Sequence, residues 1–236
     1  MKKLGVMTTY KDVEQLSVGE TLARSARIVP DKVVICFMQE RITYRKLESQ
    51  SSALAASLQE IGINKGDRVA IYLPSCPQLY TAFFALQKIG AIVAWINAAY
   101  KTHELRFILS NSQAKAVFVQ NRSSLSENFG LVQELRESIP HLSHVIAVGE
   151  GNADAALLLE DLVVAGRKKH LALPSINIQE DLSMLIYTSG TTGVPKGSMI
   201  THFQVVRGAY SYVVGIRATA DDIFLGILPL THSYGC

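Results

Sequence analysis

The residues from Tyr187 to His202, YTSGTTGVPKGSMITH, carry the densest chemistry of this 236-residue chain. Thr188, Ser189, Thr191 and Thr192 offer four hydroxyls, Gly190 and Gly193 allow tight backbone turns, and Lys196 follows Pro195 as a single cation. Successive backbone N–H groups in such a turn form an anion-binding nest, and a lysine supplies a point charge for phosphate oxygens. Pro195 restricts the backbone just before that lysine. These residue types suit a loop wrapped around phosphates. They do not make a P-loop. G-x-x-x-x-G-K-[ST] needs a glycine where Pro195 stands and a Ser or Thr where Gly197 stands.

Such a loop needs a sheet to hold it. Met184 to Tyr187 reads as a short buried strand before it, and Thr201 can cap a helix after it that runs to about Val214. The loop is thus expected between a strand and a helix, at the carboxyl end of a sheet strand, where ligands bind in open α/β sheets.

Upstream, helical and extended patterns alternate. Val18 to Ile28 reads as a helix closed by Pro30. Val33 to Phe37 and Arg41 to Thr43 read as paired strands turning at Gln39-Glu40. Thr43 caps a helix to about Ile61, with Leu47, Leu54, Leu58 and Ile61 on one face and Gly62 as its stop. Gly66-Asp67 is a turn, and Arg68 to Leu73 a strand with Val69, Ile71 and Leu73 alternating.

Ser75 and Gln78 have the spacing of a capping box for a helix from Cys76 to Ile89. Ala91 to Trp95 is the next strand. Thr102 caps a helix through about Leu109, Lys115 to Val119 is a strand, Leu125 to Ser138 a helix, and Val145 to Val148 extended. From Gly149 to Gln179 the periodicity weakens; this stretch reads as a connector with one helix within 154–166. Strands separated by helices predict an α/β fold of mostly parallel sheets covered by helices.

Composition narrows the class. Apolar residues make up 48% and charged residues 18%, which indicates a globular chain and not a disordered one. The net charge of +3 is scattered, and the run Arg167-Lys168-Lys169-His170 reads as a solvated loop, so no nucleic-acid partner is expected. Cys36, Cys76 and Cys236 are odd in number and widely spaced, which suits a reducing, cytoplasmic setting. His141 and His144 lack the further ligands a metal site needs. Gln87, Lys88 and Gly90 interrupt the apolar stretch Tyr80 to Ala99, so no transmembrane segment is expected, and the N-terminus lacks the apolar core of a signal peptide.

TSGTTGVPKG resembles the signature loop of the adenylate-forming superfamily, which includes acyl-CoA ligases, luciferases and peptide-synthetase adenylation domains. The stretch from Ile42 to Val119 is similar to that family's N-terminal lobe, and LPLTHSYG, Leu228 to Gly235, resembles its P-L-F-H-x-x-G segment. The resemblance implies a two-step reaction. A carboxylate attacks the α-phosphate of ATP to give acyl-adenylate and pyrophosphate, then a thiol, usually coenzyme A, displaces AMP. It implies ATP, with Mg2+, held by Thr188, Ser189, Gly190, Thr191, Thr192, Gly193 and Lys196. His232 is the implied catalytic residue, beside the carboxylate and adenylate, and Tyr234 would line the acyl pocket. No metal ligand is implied among the residues present. Thr231 replaces the common phenylalanine before the histidine, and Ser198 a small apolar residue after Pro-Lys-Gly.

Members of the superfamily continue well past the point matched by Cys236. The expectation is therefore a truncated N-terminal adenylation domain over 1–236, with sublobes of 1–60 plus 203–236 and of 61–202, lacking the C-terminal domain and inactive alone. Its parent would be an acyl-CoA ligase acting on a fatty or aryl carboxylic acid. The alternatives are an adenylation unit loading a carrier protein, and a non-catalytic nucleotide-binding half-protein. A lobe cut through its site exposes apolar surface that favours self-association, a homodimer among the forms it allows.

Overall fold

The fold is taken from a computed structural model that describes residues 14–121, 127–149, 157–188, 195–226 and 228–229. The first helix, α1 (Val18–Ile28), is closed at its start by a reciprocal box: Ser17 Oγ accepts from the Glu20 N–H, and Glu20 Oε2 accepts from the Ser17 N–H. A hairpin of β1 (Val33–Phe37) and β2 (Glu40–Thr43) follows. It turns at Met38-Gln39, one residue earlier than expected. Met38 takes φ 51, and Glu40 already pairs with Phe37. As expected, Thr43 caps α2 (Tyr44–Glu60) through its hydroxyl, and Gly62 stands beyond the end at φ 88.

Among the described residues seven strands then build the main sheet, in the order β7-β6-β5-β3-β4-β8-β9. They are β3 (Arg68–Tyr72), β4 (Ile92–Trp95), β5 (Ala116–Gln120), β6 (His144–Val148), β7 (Leu157–Leu158), β8 (Leu182–Thr188) and β9 (Lys196–Thr201). All neighbours pair in parallel except β8 and β9. The intervening helices are α3 (Pro77–Lys88), α4 (Thr102–Asn111), α5 (Asn128–Arg136) and α6 (Leu159–Gly166), and α7 (His202–Gly215) follows β9.

The period of two along each strand divides the core into two layers. Val69, Ile71, Val93, Trp95, Phe118, Met184 and Ile186 face one way and pack under α2, α3 and α6. Ala70, Tyr72, Ala94, Val117, Val119 and Tyr187 face the other way, under α4 and α5. The alternation read in 68–73 is therefore not an inside–outside one. Val69, Ala70, Ile71 and Tyr72 are all fully buried, because a central parallel strand is covered on both faces.

Two expected caps are corrected. The helix after β3 begins at Pro77, whose missing N–H and set φ suit the first helical position, so Cys76 is the cap residue. Ser75 then stands one residue too early to reach the helix. In α4 the cap residue is Lys101, and Thr102 is already helical; Glu104 Oε2 accepts the Lys101 N–H. The helix read from Leu125 to Ser138 is α5, shorter at both ends, and residues 122–126 lie outside the described residues.

The stretch read as a connector holds an element of the core. α6 lies directly on α2: Ser57 Oγ donates to the Leu162 carbonyl at 2.7 Å, and a Cβ on Gly166 would stand 1.8 Å from the Ala53 carbonyl oxygen. Among the described residues no helix is long and apolar enough to cross a membrane.

Candidate functional site

The candidate site lies where β8 ends. β8 runs parallel to β4 with Val93, Ala94 and Trp95 opposite Met184, Leu185 and Ile186, so Thr188 reaches the carboxyl edge of the parallel strands. The expectation that a helix follows the loop directly is corrected. Lys196 to Thr201 return as β9, antiparallel to β8, and only then does α7 begin. The loop thus closes a β-hairpin. Its two ends meet as Cα partners, Thr188 opposite Lys196.

Of the predicted site residues, the structure brings Thr188 and Lys196 together, both exposed. Ser189, Gly190, Thr191, Thr192 and Gly193 lie outside the described residues, as do His232 and Tyr234. Thr188 continues the row of Met184 and Ile186, and Lys196 that of Ser198 and Ile200, so both stand on one face of the hairpin. No ion pair engages Lys196 among the described residues. Thr201 is the cap expected of it: its hydroxyl accepts the Gln204 N–H, and Gln204 Oε1 accepts the Thr201 N–H.

Three residues assigned no site role from the sequence, Tyr187, Gln87 and His202, hold β8 and the start of α7 in place. Tyr187 lies on the opposite face from Thr188, paired with Gly197. Its hydroxyl donates to Asn111 Oδ1 at 2.8 Å, and its ring meets Phe107 edge-on at 6.5 Å. Burial pushes the Tyr187 phenol above its ordinary value. Further down β8, Ser183 Oγ donates to Gln87 Oε1 at 2.7 Å while Gln87 Nε2 donates to the Ser183 carbonyl at 3.1 Å; both residues are fully buried. A buried polar pair satisfied in both directions holds β8 in register against α3.

The third residue is His202, the first of α7, with no exposed surface. Its Nδ1 accepts the Val18 N–H at 3.3 Å, joining the start of α7 to the start of α1. Burial lowers its pKa to about 4, against the pull of Asp181 and Glu20. The ring is therefore neutral at neutral pH, as an acceptor nitrogen requires. Nothing in the sequence alone distinguishes this histidine from a surface one. The signal that could have marked Tyr187 is its alternation with Thr188, once the following residues are read as a strand.

Among the described residues no three His, Cys, Asp or Glu side chains converge as metal ligands. The described donors, a hydroxyl and an ammonium at the mouth of a glycine-rich hairpin, suit phosphate oxygens and not a metal.

The AMP-binding enzyme family matches residues 22–236. Long-chain-fatty-acid–CoA ligase of Bacillus subtilis strain 168 is 28% identical over 237 residues, covering 91% of this chain and 42% of that protein. Crotonobetaine/carnitine–CoA ligase of Salmonella paratyphi A is 30% identical over 215 residues, covering 88% and 40%. Among solved structures, apo MbtA of Mycobacterium smegmatis aligns with a TM-score of 0.85 at 28% identity, covering 93% of this chain and 40% of that one. The chain spans about two fifths of the length of the curated relatives it matches.

Proposed function

This chain belongs to the family of AMP-binding enzymes, and from that premise we propose that it is the N-terminal portion of an ATP-dependent acyl-CoA ligase. The parent protein activates a fatty or aryl carboxylic acid as acyl-AMP and transfers the acyl group to coenzyme A in the cytoplasm. The observation that carries this reading is the pairing of Thr188 with Lys196 across the ends of the glycine-rich hairpin, at the carboxyl edge of a parallel sheet.

In this reading Thr188 and Lys196, with Ser189, Gly190, Thr191, Thr192 and Gly193 between them, hold the phosphates of ATP. Mg2+ arrives as the counter-ion of that substrate. Transfer at the α-phosphate needs charge neutralisation and positioning more than covalent help from the protein. An ammonium at one strand end and a hydroxyl at the other bracket the triphosphate and offset the charge that develops on it. The same reading, carried by the resemblance of LPLTHSYG and not by the described residues, assigns His232 to the carboxylate and Tyr234 to the acyl pocket.

Calorimetric titration of the 236-residue chain with ATP tests the reading. Binding that Lys196→Ala removes supports it, and a chain that binds no ATP overturns it. Acid-dependent ATP–pyrophosphate exchange is expected only with further polypeptide; exchange by the chain alone would sink that expectation. In the parent protein, CoA against a phosphopantetheinyl carrier as acceptor separates the ligase from a carrier-loading unit.

A second reading, a nucleotide-binding half-protein completed by a second polypeptide or a second copy, draws on the apolar side chains that β9, α7 and the segment after it leave exposed. Met199, Tyr212, Ile216, Ile223, Phe224 and Leu225 are among them. Sedimentation of the chain tests the homodimer, and a monomer across the accessible concentration range removes it.

A further inference from the structure

We propose that Tyr187 is a positioning residue, whose ring, wedged against Gly197 and tethered to Asn111, sets where Lys196 stands opposite Thr188. The inference rests on the reading of Lys196 as a phosphate-binding cation and adds the device that places it.

The geometry is that of a cross-strand pair with one member missing its side chain. Tyr187 and Gly197 are direct partners on the β8–β9 ladder. A Cβ built on Gly197 would stand 3.1 Å from both Cε1 and Cζ of the Tyr187 ring and 3.4 Å from its hydroxyl. The ring therefore lies over the backbone of Gly197, the residue next to Lys196. Cross-strand neighbours on one face are the unit of sheet stabilisation, and an aromatic ring folded over a glycine is one of its devices.

The ring itself has little freedom. It is buried, packed edge-on against Phe107, and held through its hydroxyl by Asn111 Oδ1 at the last residue of α4. When something must give at Gly197, the mobile partner is β9. β9 is the edge strand, with Lys196, Gly197, Ser198 and Met199 all exposed. A methyl group at Gly197 thus displaces the strand, and the ammonium moves with it. The chain from α4 through Asn111, Tyr187 and Gly197 to Lys196 is a continuous line of contacts that crosses no loop. It ties the cation to the layer of the fold under α4.

The test uses the 236-residue chain with ATP, read by calorimetry across a series of salt concentrations, and by amide hydrogen exchange of β9 without ligand. Gly197→Ala is expected to weaken ATP binding by about fivefold, since relieving the 3.1 Å contacts shifts the strand that carries the cation and a positioned contact is sensitive to small displacements. Its salt dependence should flatten towards that of Lys196→Ala, because a displaced cation no longer contributes its screened attraction. A variant that merely loosened the fold would not flatten it. Tyr187→Phe and Asn111→Ala, which release the tether, are expected to weaken binding a few-fold and to speed exchange at Lys196 and Gly197. Asn111 is exposed at a helix end, so Asn111→Ala keeps the test available should a core variant fail to fold. Adding Tyr187→Leu to Gly197→Ala removes the ring that the new methyl meets, and should restore part of the lost affinity. ATP affinity of Gly197→Ala within about twofold of the parent chain, alongside loss of binding in Lys196→Ala, overturns the inference and leaves the phosphate reading standing. A parent chain that binds no ATP removes both.

Discussion

Thr188 and Lys196 are cross-strand partners, the last residue of β8 facing the first of β9. The hairpin therefore fixes, by backbone pairing, the two positions from which a hydroxyl and an ammonium project. Both side chains are exposed, so removing either leaves the core untouched. Lys196→Ala is expected to lower ATP affinity by about 2 kcal/mol, roughly 30-fold, the scale of a charged hydrogen bond. The urea midpoint should not move. A calorimetric titration and an unfolding curve on the same preparation check both halves, and a shifted midpoint would show the loss to be structural.

Gly166→Ala tests the contact of α6 with α2. A Cβ at Gly166 would fall 1.8 Å from the Ala53 carbonyl oxygen and 2.9 Å from Ser57 Oγ. The first of these atoms is helix backbone and cannot swing aside. The helices must separate, and Ser57 then loses its bond to the Leu162 carbonyl. Overpacking of this kind costs about 3 kcal/mol. Urea unfolding should show it as a lower midpoint with an unchanged slope, and a midpoint like that of the parent would mean that α6 does not pack as described.

Much of this architecture was legible because caps and periods are local. Val18 to Ile28, Thr43 with the helix after it, and Thr201 with its helix all read correctly, since a cap and the face it begins lie within one or two turns. Ser75 misled because its spacing to Gln78 is right for a box but Pro77 takes the first helical position. β9 was missed because K-G-S-M-I-T contains a glycine and a serine that read as loop, and its pairing depends on β8 rather than on its own composition. The helix expected within 154–166 is α6, but its packing into the core is not legible locally, because it is decided by Ala53 and Ser57, about a hundred residues earlier. In the site, residue types alone point to phosphate binding by Thr188 and Lys196, and what the structure adds is that the two are cross-strand partners. The work of Tyr187, Gln87 and His202 is a matter of contact across elements, which no local pattern encodes.

Lys88 and Glu48 form a largely buried ion pair between α3 and α2, with Nζ 2.7 Å from Oε1 and side-chain exposures of 5% and 25%. Glu48 Oε1 also accepts from Ser52, while Oε2 is buried with no hydrogen-bond partner among the described residues. Lys88→Ala leaves that carboxylate without its cation and is expected to cost about 3 kcal/mol. Replacing both, as in Lys88→Met with Glu48→Leu, should recover most of the loss, because neither charge then remains to be desolvated. Thermal and urea unfolding of the two variants check the contrast, and a double variant no better than Lys88→Ala would contradict it.

His202 gives the fold a specific acid sensitivity. The folded chain holds its imidazole at a pKa of about 4, chiefly through burial, with Asp181 and Glu20 drawing the proton in and Lys65 opposing it. The unfolded chain returns it to 6.5. Between these values the unfolded state binds the proton and the folded state does not, so stability rises with pH across the window. The contribution is whole above pH 6.5 and is lost as pH falls to about 4, amounting to about 3 kcal/mol. Protonation would also turn Nδ1 from an acceptor into a donor aimed at the Val18 N–H, parting the start of α7 from the start of α1. His202→Asn can keep an acceptor oxygen for that N–H while removing the titration. Unfolding free energies of the two proteins, measured by urea across the same pH window, should converge as the pH falls, with the parent losing about 3 kcal/mol more than the variant. Parallel pH profiles would mean that His202 titrates alike in both states and that its neutral, buried form does not hold the two helix ends together.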